Sequence, residues 1–381
     1  MSEEFALGSF LARWGNAAPH NLSASESATL TLADLLALAD PEDRRRWQDL
    51  ALGYADPRGA AWLRAEIAGR RAGLGADAVL VCAGAQEALA CAMQSLLAPD
   101  DHAIVVVPIY HPSERAVTSI CAATGVPLDH RDGLWRLDID RIAAALRPNT
   151  RLVLMNFPNS PTGAALDPAA LAALVALCAR RGLWLVNDEV YRAMTEDGPP
   201  APPVAALYDR GVSIDAVSKG MGLPGLRVGW IESRDPALLA RALRAKSGLS
   251  SCIAAPSEVL AHIALRAEAG IVARNRAIAR ANRGLVRQFL HRHPQQFEGE
   301  AAGNLSFAAP RCLGARDATG FAINLVRAAG VLLLPFALWR SSLAEIPTDR
   351  IRLGLGGDGV ADALAAMEAF LQHGTARAAV A

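Results

Sequence analysis

The sequence predicts an α/β protein: a mostly parallel sheet set between helices, with a second, smaller α+β lobe. Three observations predict it. Between about residues 77 and 230, short apolar runs alternate with helical stretches, the pattern of a parallel sheet wrapped by helices. Beyond about residue 275 the texture changes to an Arg-rich helix, short strands and a closing helix near 360–372. At 381 residues the chain is also longer than one hydrophobic core usually serves.

The elements follow in order. The first residues, MSEEFALGSFLARW, are acidic where a secretory signal would be basic, and they lack its sustained apolar segment. Candidate strands are AVLVC (78–82), AIVVV (103–107), RLVLMN (151–156), LWLVN (183–187), VSIDAV (212–217) and VGWIE (228–232). Helical stretches such as AQEALACAMQSLL lie between them. DPAALAALVALCARRG opens with Asp167 placed as an N-cap and Pro168 at the first helical position. EDGPPAPPVAAL (196–207) reads as a Pro-rich surface loop, and a long helical stretch, 257–290, leads to the second lobe.

Composition narrows the function. The 38 Lys and Arg balance 38 Asp and Glu, which removes any whole-molecule electrostatic case for nucleic acid or an anionic membrane and favours a small-molecule ligand. Apolar runs such as AALAALVALCA are too short to span a bilayer. The six cysteines lack CxxC spacing, so reduced structural thiols in a cytoplasmic protein are expected, with neither a disulfide framework nor a metal site. Only two of the basic residues are lysines, Lys219 and Lys246, so lysine chemistry has two candidates.

In open parallel sheets ligands bind at the carboxyl ends of the strands. The residues standing there are Gly84, Tyr110, Asn159 with Ser160, Asp188 and Lys219. Gly84, Ala85 and Gln86 open a helix directly after a strand, where free amides and the helix dipole suit an anion, although many α/β turns carry a glycine for steric reasons alone. In SIDAVSKGMGLPGLRVGW, a strand-end lysine able to form a Schiff base precedes an arginine eight residues on, which suits a phosphate. A lone lysine is more often a solvated surface residue. Asp188 in VNDEVY is equally an ordinary helix cap, and Tyr110 a half-buried core aromatic. GLGGDG (354–359) fits G-x-G-x-x-G but lies too near the C-terminus for a dinucleotide-binding unit, and reads as a loop.

Taken together, Ser218, Lys219, Gly222, Gly225, Arg227, Val228 and Gly229 match in order the lysine signature of fold-type I pyridoxal 5′-phosphate (PLP) enzymes. The chain resembles their class I/II aminotransferase family from about Tyr54 to Arg352. That resemblance implies a large PLP-binding domain (46–270), a small C-terminal domain (271–381), and residues 1–45 as an N-terminal arm and part of the small domain. It implies an aminotransferase moving an amino group between an amino acid and a 2-oxo acid through a Lys219 Schiff base. Asp188 would pair with the pyridine nitrogen, Tyr191 with the phenolate oxygen, and Tyr110 would stack on the ring. Gly84, Ala85, Gln86, Ser218 and Arg227 would hold the phosphate. Tyr54, in GYADPRGAAWLRAEIA, would reach the phosphate of the neighbouring subunit, which implies a homodimer with shared active sites. Arg352, in DRIRLGLG, would clamp the substrate α-carboxylate.

The family pattern is broken in places. NFPNSPTG (156–163) matches N-x-P-x-N-P-T-G at Asn156, Pro158, Pro161, Thr162 and Gly163, but Ser160 replaces the second asparagine and Asn159 stands one position upstream. Ala216 stands where a phosphate-binding hydroxyl is common. LLLPFALW carries Phe336 and Trp339 where the family often has a Pro-Gly turn, placing bulk near the substrate side chain. NLSASESATLTL lacks the usual glycine-rich segment and resembles capreomycidine synthases, PLP enzymes that eliminate and cyclise a hydroxylated arginine. An elimination and cyclisation enzyme of specialised metabolism is therefore the alternative reading.

Overall fold

The computed structural model describes residues 6–15, 18–70, 73–196, 200–299, 303–313 and 318–378. The first five residues of the acidic N-terminus and positions 197–199 of the Pro-rich stretch lie outside these. The core is a seven-stranded sheet. Its spatial order is Val79–Cys82, Gly229–Ser233, Gly211–Ala216, Trp184–Asp188, Thr150–Asn156, His102–Val107 and Ala122–Pro127. All neighbours run parallel except Gly229–Ser233, which is antiparallel to both of its partners. The six apolar runs of the sequence all become strands of this sheet. The seventh, Ala122–Pro127, escaped the sequence reading because it is an edge strand, AATGVP, with only Val126 fully buried.

Strands buried on both faces need apolar residues at every position, which is why these runs do not alternate with polar residues. Leu80 and Cys82 join one packed cluster with the helices Ala85–Leu96 and Pro236–Ser247, while Val79 and Val81 join another with Ala61–Gly69 and Ala255–Arg266. The helix Pro168–Arg181 is built as its ends foretell. The Asp167 side chain accepts from the Ala169 and Ala170 amides, Pro168 fills the first turn, and Gly182 closes it in a left-handed conformation. The Pro-rich stretch departs from a plain surface loop: its end, Val204–Leu207, is a helical turn with Val204 and Ala205 buried.

A second core joins Phe289, Leu305, Leu325, Leu332, Leu353 and Met367 with Leu7, Phe10 and Leu22 from the other end of the sequence. His20–Asn21 pairs in parallel with Val331–Leu332. The N-terminal segment thus divides: residues 6–15 and 18–22 belong here, whereas Leu32–Ala37 and Pro41–Gln48 lie on the helix Ala255–Arg266 beside the large sheet.

Residues 22–28 form a strap between the two cores. The Leu22 amide donates to Leu332 O and the Ser27 amide to Lys219 O, and Leu22 O accepts from the Gly354 amide. A Cβ on Gly354 or Gly356 would collide with the carbonyls of Ala24 and Glu26, so these glycines let the strap pass at backbone contact.

Candidate active site

At the carboxyl ends of the strands lies a cavity of about 290 Å³, lined by Ala85, Gln86, Tyr110, Ser160, Asp188, Tyr191, Ser218, Lys219, Arg227 and Arg352 among others. Ten of the residues singled out in the sequence therefore converge on one space.

Lys219 follows the strand Gly211–Ala216. Its Nζ donates to Ser25 Oγ (2.7 Å) and sits 5.9 Å from the centre of the Tyr191 ring. Asp188 ends the neighbouring strand, and its Oδ1 accepts from the Val190 amide (3.3 Å). Burial pushes the Asp188 carboxyl up to about 7; Asp215 adds to this, while the Val190 amide and Lys219 oppose it. A carboxylate in such a place needs a cation to stay ionised.

Facing this acidic floor is an anion-binding corner. The helix Ala85–Leu96 starts at Gly84 with no side-chain cap, so its first amides are left for another partner. Gly84 has φ +90, and a Cβ there would lie 2.5 Å from Arg227 Nη2, so glycine is what allows the guanidinium against the helix end. Arg227, itself left-handed at φ 53, is anchored by donating to Pro224 O (3.2 Å). Gly84 shapes this corner without lining the cavity.

Across the cavity Arg352 is 2% exposed. Its Nη2 donates to Ser23 O (2.5 Å) and its Nη1 to Ser160 Oγ (3.4 Å). Its guanidinium carbon lies 4.5 Å from the Phe307 ring centre and 5.0 Å from that of Trp339. Burial lowers its pKa to about 10, with Tyr191 and Glu26 opposing, so it stays a cation at neutral pH. Its Nε has no hydrogen-bond partner among the described residues.

Tyr191, 5% exposed, packs edge-on against Phe307 at 5.0 Å. Tyr110 caps the helix His111–Thr118 from the cavity wall, and burial, then Tyr191, raises its hydroxyl pKa, with Arg227 opposing.

Three residues singled out in the sequence lie elsewhere. Asn159 is buried off the cavity, its Nδ2 donating to Pro108 O and Asn156 O and its Oδ1 accepting from Thr162. Asn156 lines the cavity instead, its Oδ1 accepting from the Ser160 amide and its Nδ2 donating to Asp188 O. Phe336 is fully buried between Trp135 and Trp339, and it is Trp339 that faces the cavity. Tyr54 is 97% exposed and lines nothing on its own chain. Sequence reasoning missed Ser23, Ser25, Leu7 and Leu11, which enter the wall from the N-terminal segment.

The donor set fits one group. An amine, an uncapped helix end beside an arginine and a buried carboxylate match an aldehyde, a phosphate and a protonatable ring nitrogen. These belong to pyridoxal 5′-phosphate.

The comparisons agree. A model of the family Aminotransferase class I and II matches residues 20–361. A capreomycidine synthase from Streptomyces vinaceus is 30% identical over 88% of this chain and 84% of its own. An arginine–pyruvate transaminase from Pseudomonas aeruginosa is 40% identical over 47% of each chain. The N-succinyldiaminopimelate aminotransferase from Mycobacterium tuberculosis superposes with a TM-score of 0.82 at 26% identity, covering 95% of this chain and 96% of that one. The protein belongs to the class I and II aminotransferases, enzymes that use pyridoxal phosphate.

Proposed function

We propose that the protein transfers an amino group between an amino acid and a 2-oxo acid. The observation that supports this best is the convergence of Asp188, Arg352 and the turn carrying Lys219 and Arg227 on one cavity from three separate segments. Bound PLP supplies an electron sink for the charge that develops at the substrate α-carbon. The Ala85 and Gln86 amides, Ser218 and Arg227 would hold its phosphate, Asp188 its ring nitrogen, and Tyr191 with Ser160 the edge bearing its phenolate oxygen.

The chain's own residues do the rest. Arg352, cationic and with Nε unpaired, orients the substrate α-carboxylate. Lys219, as a free amine, would take the α-proton and deliver it to the carbon bonded to the other side of the amino nitrogen, so one residue would serve as base and acid. Tyr110 and Trp339 line the same cavity and would help to exclude water from it.

Arginine with pyruvate, named for the P. aeruginosa relative, is the first substrate pair to test. Incubation of holoenzyme with a panel of amino acids and pyruvate should yield a 2-oxo acid and alanine for at least one donor, and Lys219→Ala should abolish it. The second reading, elimination with cyclisation, is favoured by the similarity to a capreomycidine synthase and by Ser160. Mass spectrometry separates the two: a product that keeps its α-amino nitrogen while losing water would sink the transaminase reading.

We further place the protein in the cytoplasm as a homodimer of a large domain near 46–270 and a small one near 271–381. Six cysteines, none of them in a disulfide, support the compartment. Tyr54 at 97% and Leu52 at 83% exposure support the dimer, being an aromatic and an aliphatic side chain with nothing covering them.

A further inference from the structure

The strap places two serines over the reacting groups. Ser23 offers Arg352 its carbonyl; Ser25 offers Lys219 its hydroxyl. The Ser25 contact is directional. A hydroxyl carries one proton, and Ser25 Oγ spends it on Glu26 Oε2 (3.0 Å), which leaves its lone pairs to accept from Lys219 Nζ (2.7 Å). The Ser25 amide donates to the same Glu26 oxygen (3.2 Å), so two bonds from one residue fix the carboxylate. The order is carboxylate, hydroxyl, amine, and each member is oriented by the one before it.

The strap cannot carry Ser25 away easily. The Ser27 amide donates to the carbonyl of Lys219 itself, its Oγ meets Met194 Sδ at 3.5 Å, and Gly354 and Gly356 leave no space beneath Ala24 and Glu26. The backbone that holds Ser25 is thus bonded to the backbone that carries Lys219.

We propose that Ser25, backed by Glu26, is a positioning residue that holds the free amine of Lys219 for proton transfer. This rests on the aminotransferase reading for its role in turnover, but the contact itself does not. When Lys219 has taken the α-proton, its ammonium donates one N–H to Ser25 Oγ, stabilised by the Glu26 charge behind it. When the proton is returned, the bond keeps the amine from swinging out of line. No proton leaves Lys219 for Ser25, and no covalent bond forms on the serine.

The test has two arms. In the first, the cofactor-free full chain is acetylated with acetic anhydride at one fixed pH and digested, and the modification of Lys219 is followed by mass spectrometry. Only one other lysine, Lys246, is present, and its amine is buried against Pro57 O (2.5 Å). Ser25→Ala and Glu26→Gln should each speed Lys219 labelling roughly fivefold, the worth of about one hydrogen bond. Ser25→Thr should leave it unchanged. Asp188, Tyr110, Tyr191, Arg227 and Arg352 share the cavity wall and are common to all the variants, so they cancel.

In the second arm, holoenzyme with an α-deuterated donor should show kcat about tenfold lower in Ser25→Ala at unchanged KM, a larger primary isotope effect, and recovery in Ser25→Thr. Wild-type labelling in both Ser25→Ala and Glu26→Gln overturns the proposal, as does an unchanged isotope effect in both. If the labelling responds as expected but no donor is transaminated, the functional reading has failed and the Ser25–Lys219 contact stands.

Discussion

Arg352 holds its charge between two aromatic faces and two neutral oxygens, with no carboxylate in hydrogen-bond reach among the described residues. A bidentate carboxylate is what it lacks. Arg352→Lys keeps the charge but loses the planar fork, and should raise KM for the amino acid about 10- to 100-fold, the worth of a charge-assisted pair, with a smaller change in kcat. Asp188 gives a pH test. Its carboxyl is raised from 3.8 to about 7, so ionising it in the fold costs stability. Below 3.8 it is protonated folded or unfolded and costs nothing; above about 7 the full cost is felt. The cofactor-free protein should lose stability through this group as pH rises from about 4 to 7. Asp188→Asn should therefore be more stable than wild type in urea unfolding at pH 8, by a few kcal/mol at most, and hardly at all at pH 4. An equal gain at both would show that Asp188 is not the titrating group. Glu189, also pushed to about 7 by burial, is present in both proteins and cancels. At this scale the sequence showed which strand ends meet but not which neighbour turns inward. Asn156 ends a strand and Asn159 stands three residues beyond it, and the loop's own hydrogen bonds choose between them. Phe336 and Trp339 share one short turn, whose winding sends the indole to the cavity.

The helix Ala85–Leu96 begins with no side-chain cap on its first turn. Gly84→Ala forces φ +90 on a residue with a Cβ and drives that Cβ into Arg227. It should destabilise the fold by more than about 1 kcal/mol and weaken PLP binding, read by quenching of protein fluorescence, beyond what stability alone explains. Elements of this kind were legible because their signals are local: an apolar run, a glycine, then helix. The edge strand Ala122–Pro127 and the strap were not. The partner of Ser25 lies 194 positions away, and no spacing rule reaches that far.

For the whole molecule the exposed Tyr54 and Leu52 set the expectation. Sedimentation should give twice the mass of one chain, and Tyr54→Phe should lower PLP affinity in the dimer without dissociating it. A monomer with full activity would remove the shared-site reading. The sequence changes texture near residue 275, but the sharing of its N-terminal segment between two cores was not visible, because His20–Asn21 finds its strand partner more than three hundred positions on. That return gives the strap a place in time as well as in space. Residues 22–28 are synthesised before their bonding partners at Lys219, Leu332 and Gly354. The strap can pair fully only once Gly354 has been made, so its closure waits on a residue more than three hundred positions further along the chain.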